Sequence, residues 1–133
     1  MATNIQKLSS EASEDDLTST PTASTNTAVV QGMNYHTLHF DYTPGASGNV
    51  LTITIEGRVN AVTNSAYAQE MEWNESPAGT WTRTLKQYKF TSSGTSKISL
   101  VIVFQMHTGE IRIKASETGT NGTYDAWLTS STS

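Results

Sequence analysis

The longest unbroken apolar run in the chain is Leu100-Val101-Ile102-Val103-Phe104, inside the stretch Thr95 to Lys114. A strand with one face in water alternates apolar and polar side chains, so a continuous run supplies large apolar groups to both faces. It is too short for a buried helix and rich in β-branched residues, which fit a pleated surface. It predicts a central strand whose second face is covered by another part of the chain or by a neighbouring subunit. After a turn at His107-Thr108-Gly109, the segment Ile111-Arg112-Ile113-Lys114-Ala115 alternates cleanly and predicts the second strand of a hairpin, its charges toward solvent.

The same periodicity organises the rest of the body. His36, Leu38, Phe40 and Tyr42 share one strand face, and Leu51, Ile53, Ile55 and Val59 form the inward face of the next. Between them lies the turn cluster Thr43-Pro44-Gly45 with Ser47-Gly48-Asn49, so the two strands are expected to pair antiparallel. Gly57 falls in the inward phase without a side chain, which predicts a bend or a close backbone approach. Tyr67 to Phe90 reads as another hairpin around the loop Glu75 to Gly79, with a bulge or break near Lys86-Gln87. Asn121-Gly122 signals a tight turn into a last strand carrying Tyr124, Ala126 and Leu128. Such strand and turn spacings predict an all-β fold, an antiparallel two-sheet β-sandwich of jelly-roll type, spanning residues 29–133.

Residues 1–28 carry no such pattern. They are Ser, Thr, Ala and acidic residues with isolated Ile5, Leu8 and Leu17. Ordering each backbone residue costs roughly 1–2 kcal/mol, which a few scattered aliphatic side chains do not offset. The expectation is an extended N-terminal arm, either flexible or docked on a partner. A short helix within Thr3–Leu8 or Ser13–Thr18 is the other option, because Ser13-Glu14-Asp15-Asp16 has the shape of a capping box.

Composition sharpens the picture mainly by exclusion. With no cysteine among 133 residues there is no disulfide framework and no thiolate site. Charged residues make up only 15% of the chain, and Ser plus Thr more than a quarter, a balance that suits stacked strands with polar outer faces. The net charge is −4, of which Glu11, Glu14, Asp15 and Asp16 against Lys7 account for −3 in the first 28 residues. A near-neutral body without a basic stripe disfavours nucleic acid as a partner. No run approaches the roughly 20 apolar residues of a membrane span, and the N-terminus has no apolar export core, so assembly in a cytoplasm is expected.

Candidate chemistry is sparse. His36 and His39 are three apart in a strand and so face opposite sides, which argues against a shared metal ion. Glu70 and Glu72 share a face, about 7 Å apart from the strand rise, a spacing that mimics a glycosidase pair. Their neighbours Met71 and Trp73 take the other face, so a solvated pair is the simpler reading. No serine sits in a Gly-x-Ser-x-Gly elbow. No catalytic, cofactor-binding or metal site is expected, and the chain reads as non-enzymatic. Trp73 and Trp81 flank one loop and Trp127 lies on the last strand. With Leu8 and Leu17 in the arm and Val29 and Val30 at its junction with the body, they are the candidates for contact with a partner.

A polar Ser/Thr/Ala arm ahead of a compact β-sandwich, here carrying YHTLHFDYTPG, NVLTITIEG and IRIKASETGTNGTYDAWLT, resembles the small structural proteins of tailed-phage virions. The resemblance implies a capsid decoration or auxiliary protein of the virion, or a neck or tail component, that binds capsid proteins and its own copies as a homo-oligomer. Leu51 to Gly57 with Ile111 to Leu128 is also similar to jelly-roll carbohydrate-binding domains. That similarity implies an alternative, a glycan held by Trp73, Trp81 or Trp127.

Overall fold

A computed structural model of the chain describes residues 3–59 and 66–133. Among the described residues there are strands and no helices. In chain order they are β1 (Thr3–Lys7), β2 (Asp15–Asp16), β3 (Thr22–Ala23), β4 (Ala28–Val29), β5 (Tyr35–Thr43), β6 (Val50–Arg58), β7 (Ala68–Gln69), β8 (Met71–Glu75), β9 (Trp81–Leu85), β10 (Tyr88–Thr91), β11 (Ile98–Gln105), β12 (Glu110–Glu117) and β13 (Thr123–Ser131). Two antiparallel sheets pack face to face. Sheet A runs β1-β13-β5-β11, with β2 extending the β1 edge; sheet B runs β10-β6-β12-β3, with β7 continuing the β10 edge and β4 the β3 edge.

The long strands owe their form to strict alternation. His36, Leu38, Phe40 and Tyr42 of β5 and Tyr124, Ala126, Leu128 and Ser130 of β13 point inward; Leu51, Ile53 and Ile55 of β6 and Ile111, Ile113 and Ala115 of β12 meet them from the other sheet. Phe40 stacks on Tyr124 with ring centroids 4.6 Å apart, and Tyr42 meets Phe90 edge-on. The chain changes sheet at almost every step, from β5 to β6, from β10 to β11, from β11 to β12 and from β12 to β13. This connectivity is that of a jelly roll.

The structure also overturns four local expectations. β5 and β6 do not pair with each other, nor do β11 and β12, because each pair is divided between the sheets. The apolar run is an edge strand, bonded among the described residues to β5 alone, and Val101 and Val103 on its outer face stay exposed. Val59 is exposed rather than inward. Gly57 does mark a close approach: a Cβ there would lie 2.9 Å from the Met106 sulfur and 3.0 Å from Thr108.

The largest departure is the first 28 residues. They supply the outer strands of both sheets: β1 and β2 bond to β13, and β3 and β4 bond to β12. Thr3–Lys7 and Asp15–Asp16 are therefore extended rather than helical. Along its course, which passes from sheet A to sheet B between β2 and β3, this segment places Leu8, Leu17 and Ala28, followed by Val30, in the core with no exposed surface. Its polar residues bond to each other and to the body. Asp15 accepts from the Ser10 N–H at 2.9 Å, from the Thr25 hydroxyl at 2.7 Å and from the Thr25 N–H at 3.0 Å. Asn26 donates to the Ser9 carbonyl at 2.9 Å, and Gln6 spans the sheets by bonding the backbone N–H and carbonyl of Val29. Edge pairing provides the backbone bonds that scattered leucines alone do not, which is why a segment without periodicity is ordered.

Candidate functional site

Two surface features stand apart from this frame, a projecting ribbon and an open sheet edge. The ribbon interrupts the edge strand of sheet B. β7 pairs with Glu56 and Gly57, and β10 resumes the pairing at Ile53; between them, Glu70 donates its N–H to the Ile55 carbonyl and the chain leaves as β8 and β9. The expected break near Lys86-Gln87 is the point of return. A turn closes the far end, where Gly79 adopts φ 82° and Thr80 donates its N–H to the Ser76 hydroxyl at 3.1 Å.

Pairing of Met71 with Leu85, Trp73 with Arg83 and Glu75 with Trp81 puts all six on one face of the ribbon. The other face carries Glu72, Asn74, Thr82 and Thr84, with Asn74 bonded to the Thr84 hydroxyl at 3.0 Å. Trp73 is 61% exposed, Trp81 57% and Leu85 56%. The Arg83 guanidinium lies 5.7 Å from the Trp73 ring centroid. An isolated two-stranded ribbon is marginally stable in water, so this one is held by its root on β6 and presents an uncovered apolar face.

The open edge is β11. Beside it the two sheets part, leaving a groove of about 400 Å³ lined by Leu51, Ile53, Tyr88, Phe90, Leu100 and Ile102. The opposite side of the sandwich is closed by the N-terminal segment.

The sequence-predicted contact residues divide accordingly. Leu8, Leu17 and Val30 are spent on this chain's own core and are unavailable to a partner, a correction that follows from the edge pairing of the segment. Val29 is 54% exposed at the sheet B edge. Trp73 and Trp81 lie together on the ribbon. Trp127 is separate, half-buried on the outer face of sheet A with the Lys7 ammonium 5.7 Å from its ring centroid. Val101 and Val103 are not among the residues named from the sequence as contacts, although the apolar run itself signals a second face to be covered by another part of the chain or a neighbouring subunit.

The charged groups are mostly satisfied locally. On the outer face of sheet B, Arg58 pairs with Glu110 at 2.7 Å and Arg112 with Glu56 at 2.7 Å, and both guanidinium groups lie over the Tyr67 ring. Glu70, one of the two carboxylates with glycosidase-like spacing, accepts from the Tyr88 hydroxyl at 2.9 Å, while Glu72 is exposed. His39 faces outward and His36 inward.

His36 is buried between sheet strands. Its Nδ1 lies 2.8 Å from the Ser130 hydroxyl and its Nε2 lies 3.1 Å from the Met106 carbonyl, which assigns the neutral tautomer with the proton on Nε2. Burial pushes its pKa below the usual 6.5, with nearby His107 acting in the same direction. The unfolded chain therefore binds the proton more readily. The stabilisation is complete above pH 6.5 and is lost as the pH falls through the folded-state value. Chemical denaturation from pH 7.5 down to 5.5 should show stability falling by up to about 1.4 kcal/mol per pH unit. A His36→Gln chain should lose that slope.

No protein-family model matches the chain, and no curated protein matches it significantly.

Proposed function

We propose that this chain is a non-enzymatic structural protein of a virion, a decoration or auxiliary protein that binds the assembled capsid and its own copies. The observation that carries the proposal is the β8–β9 ribbon, which holds Trp73, Trp81 and Leu85 clear of both sheets. A rigid jelly roll with an exposed aromatic finger is suited to docking on a preformed surface, where tryptophans characteristically dominate the binding energy. The near-neutral body lets copies approach one another without strong repulsion. The virion setting rests on the resemblance noted above, since a jelly roll alone does not specify a function.

The test is co-sedimentation of the purified chain with assembled heads of its own particle. Trp73→Ser and Trp81→Ser should each weaken retention more than tenfold, the effect of losing roughly 2 kcal/mol at a central aromatic contact. Failure of the native chain to sediment with the heads would sink the proposal.

The second reading, a glycan-binding module, is favoured by one detail: Glu75 and Arg83 share the tryptophan face, so polar groups stand beside two aromatic platforms. On that reading, oligosaccharides would shift the tryptophan fluorescence of the native chain and not of the Trp73→Ser, Trp81→Ser double variant.

A further inference from the structure

Most sheet edges in this protein are blunted in the ways that keep strands from pairing with foreign chains. Among the described residues, the β1–β2 edge is broken and carries Lys7, the β3–β4 edge consists of two-residue strands, and the β7–β10 edge is interrupted by the ribbon. β11 is the exception. Its eight residues from Ile98 to Gln105 are unbroken and contain no charge, no proline and no glycine. Val101 is 59% exposed and Val103 76%.

The backbone of that edge has a defined phase. Met106 donates its N–H to the Asn34 carbonyl, in the register that continues as Phe104 with His36 and Ile102 with Leu38. Antiparallel pairs alternate between bonded and non-bonded, so the even-numbered residues of β11 bond to β5. Ser99, Val101, Val103 and Gln105 direct their N–H and carbonyl groups away from it. The sequence around Ile102 is then close to a palindrome in chemistry: Val101 mirrors Val103, Leu100 mirrors Phe104, Ser99 mirrors Gln105 and Ile98 mirrors Met106.

We infer that β11 is a two-fold, self-pairing edge that joins two copies of this chain into one continuous sheet. Antiparallel pairing about Ile102 sets Val101 against Val103 of the second copy and Ser99 against Gln105, each as a bonded pair. On the inner face Leu100 meets Phe104 of the second copy, and the apolar groove beside β11 is covered by the same approach. A two-fold interface requires a patch complementary to itself, which this uncharged, mirror-matched strand provides and a patch with one sign of charge does not. The inference rests on the assembly reading above for its setting only. Its test uses the purified chain alone, so it succeeds or fails independently of head binding.

The experiment is solution mass by light scattering for the native chain, a Val101→Lys, Val103→Lys double variant and a Val103→Pro variant. Both replaced side chains point to solvent, and the Val103 N–H faces the free edge, so neither variant removes a bond to β5. Circular dichroism and the thermal transition check that each remains folded. The native chain should have twice the single-chain mass and both variants half of that. A native chain that stays monomeric at the highest concentration reached, or an oligomer of unchanged mass in the folded variants, would overturn the inference.

Discussion

A chain beginning at Thr27 is expected not to fold. The deletion removes β1, β2 and β3, exposes the long edges of β13 and β12, and takes Leu8 and Leu17 out of the core. Each buried leucine is worth about 2–5 kcal/mol when truncated to alanine. Together they rival a typical total stability of about 5–15 kcal/mol before any backbone bond is counted. The Ala126 N–H, which donates to the Ser9 hydroxyl at 3.0 Å, loses its partner, as does the Ala126 carbonyl that accepts from Leu8 at 2.8 Å. Near-ultraviolet circular dichroism and amide dispersion in NMR spectra should collapse for the shortened chain. Leu17→Ala in the full chain should fold but melt earlier, by the lower end of that energy range or more. A shortened chain that melts cooperatively at the temperature of the full one would show that the N-terminal strands contribute nothing to the fold.

This expectation reverses the sequence reading of residues 1–28, and the reason is physical. Periodicity reports a strand only when several alternate positions face a core. Here the segment buries single leucines, Leu8 just after β1 and Leu17 just after β2, and the rest of it is held by edge pairing and by Asp15, Gln6 and Asn26. Those bonds leave no pattern in hydropathy. The body strands were legible because β5, β6, β12 and β13 each alternate over a full strand length. Their pairing was not, since neighbours in sequence pair by default in a meander and are sent to opposite sheets in a jelly roll. The ribbon was legible as a hairpin through its loop and its break near Lys86-Gln87, and its strands do pair with each other. The run in β11 was legible as a strand with two apolar faces. Whether such a strand lies in the middle of a sheet or at an unprotected edge depends on the order of strands, which alternation does not encode.

Replacing Glu117 should cost more than most single substitutions, although only one polar residue is changed. Alternation in β12 turns this side chain inward at the end of the sandwich, where it is 1% exposed. Its carboxylate accepts from the Tyr42 hydroxyl, from the Gly45 N–H at 3.0 Å and from the Gly122 N–H, joining β5, the β5–β6 turn and the β12–β13 turn. The two turns touch closely enough that a Cβ on Gly45 would fall 1.9 Å from the Thr120 carbonyl oxygen, which is why glycine stands there. Burial, with Glu117 alongside, drives the Tyr42 phenol well above its ordinary pKa, so it stays a donor throughout the accessible range. In Glu117→Ala the Tyr42 hydroxyl and the Gly122 N–H are buried without this acceptor, at about 1–3 kcal/mol each, and the part-buried Gly45 N–H loses it too. Tyr42→Phe removes one donor and leaves the carboxylate its two backbone N–H groups, for a loss of only about 1 kcal/mol. The double variant should therefore be less destabilised than the sum of the two, by roughly 1–2 kcal/mol in denaturant titrations. Additivity would mean that the hydroxyl and the carboxylate act independently, and that the three segments are tied by packing rather than by this one acceptor.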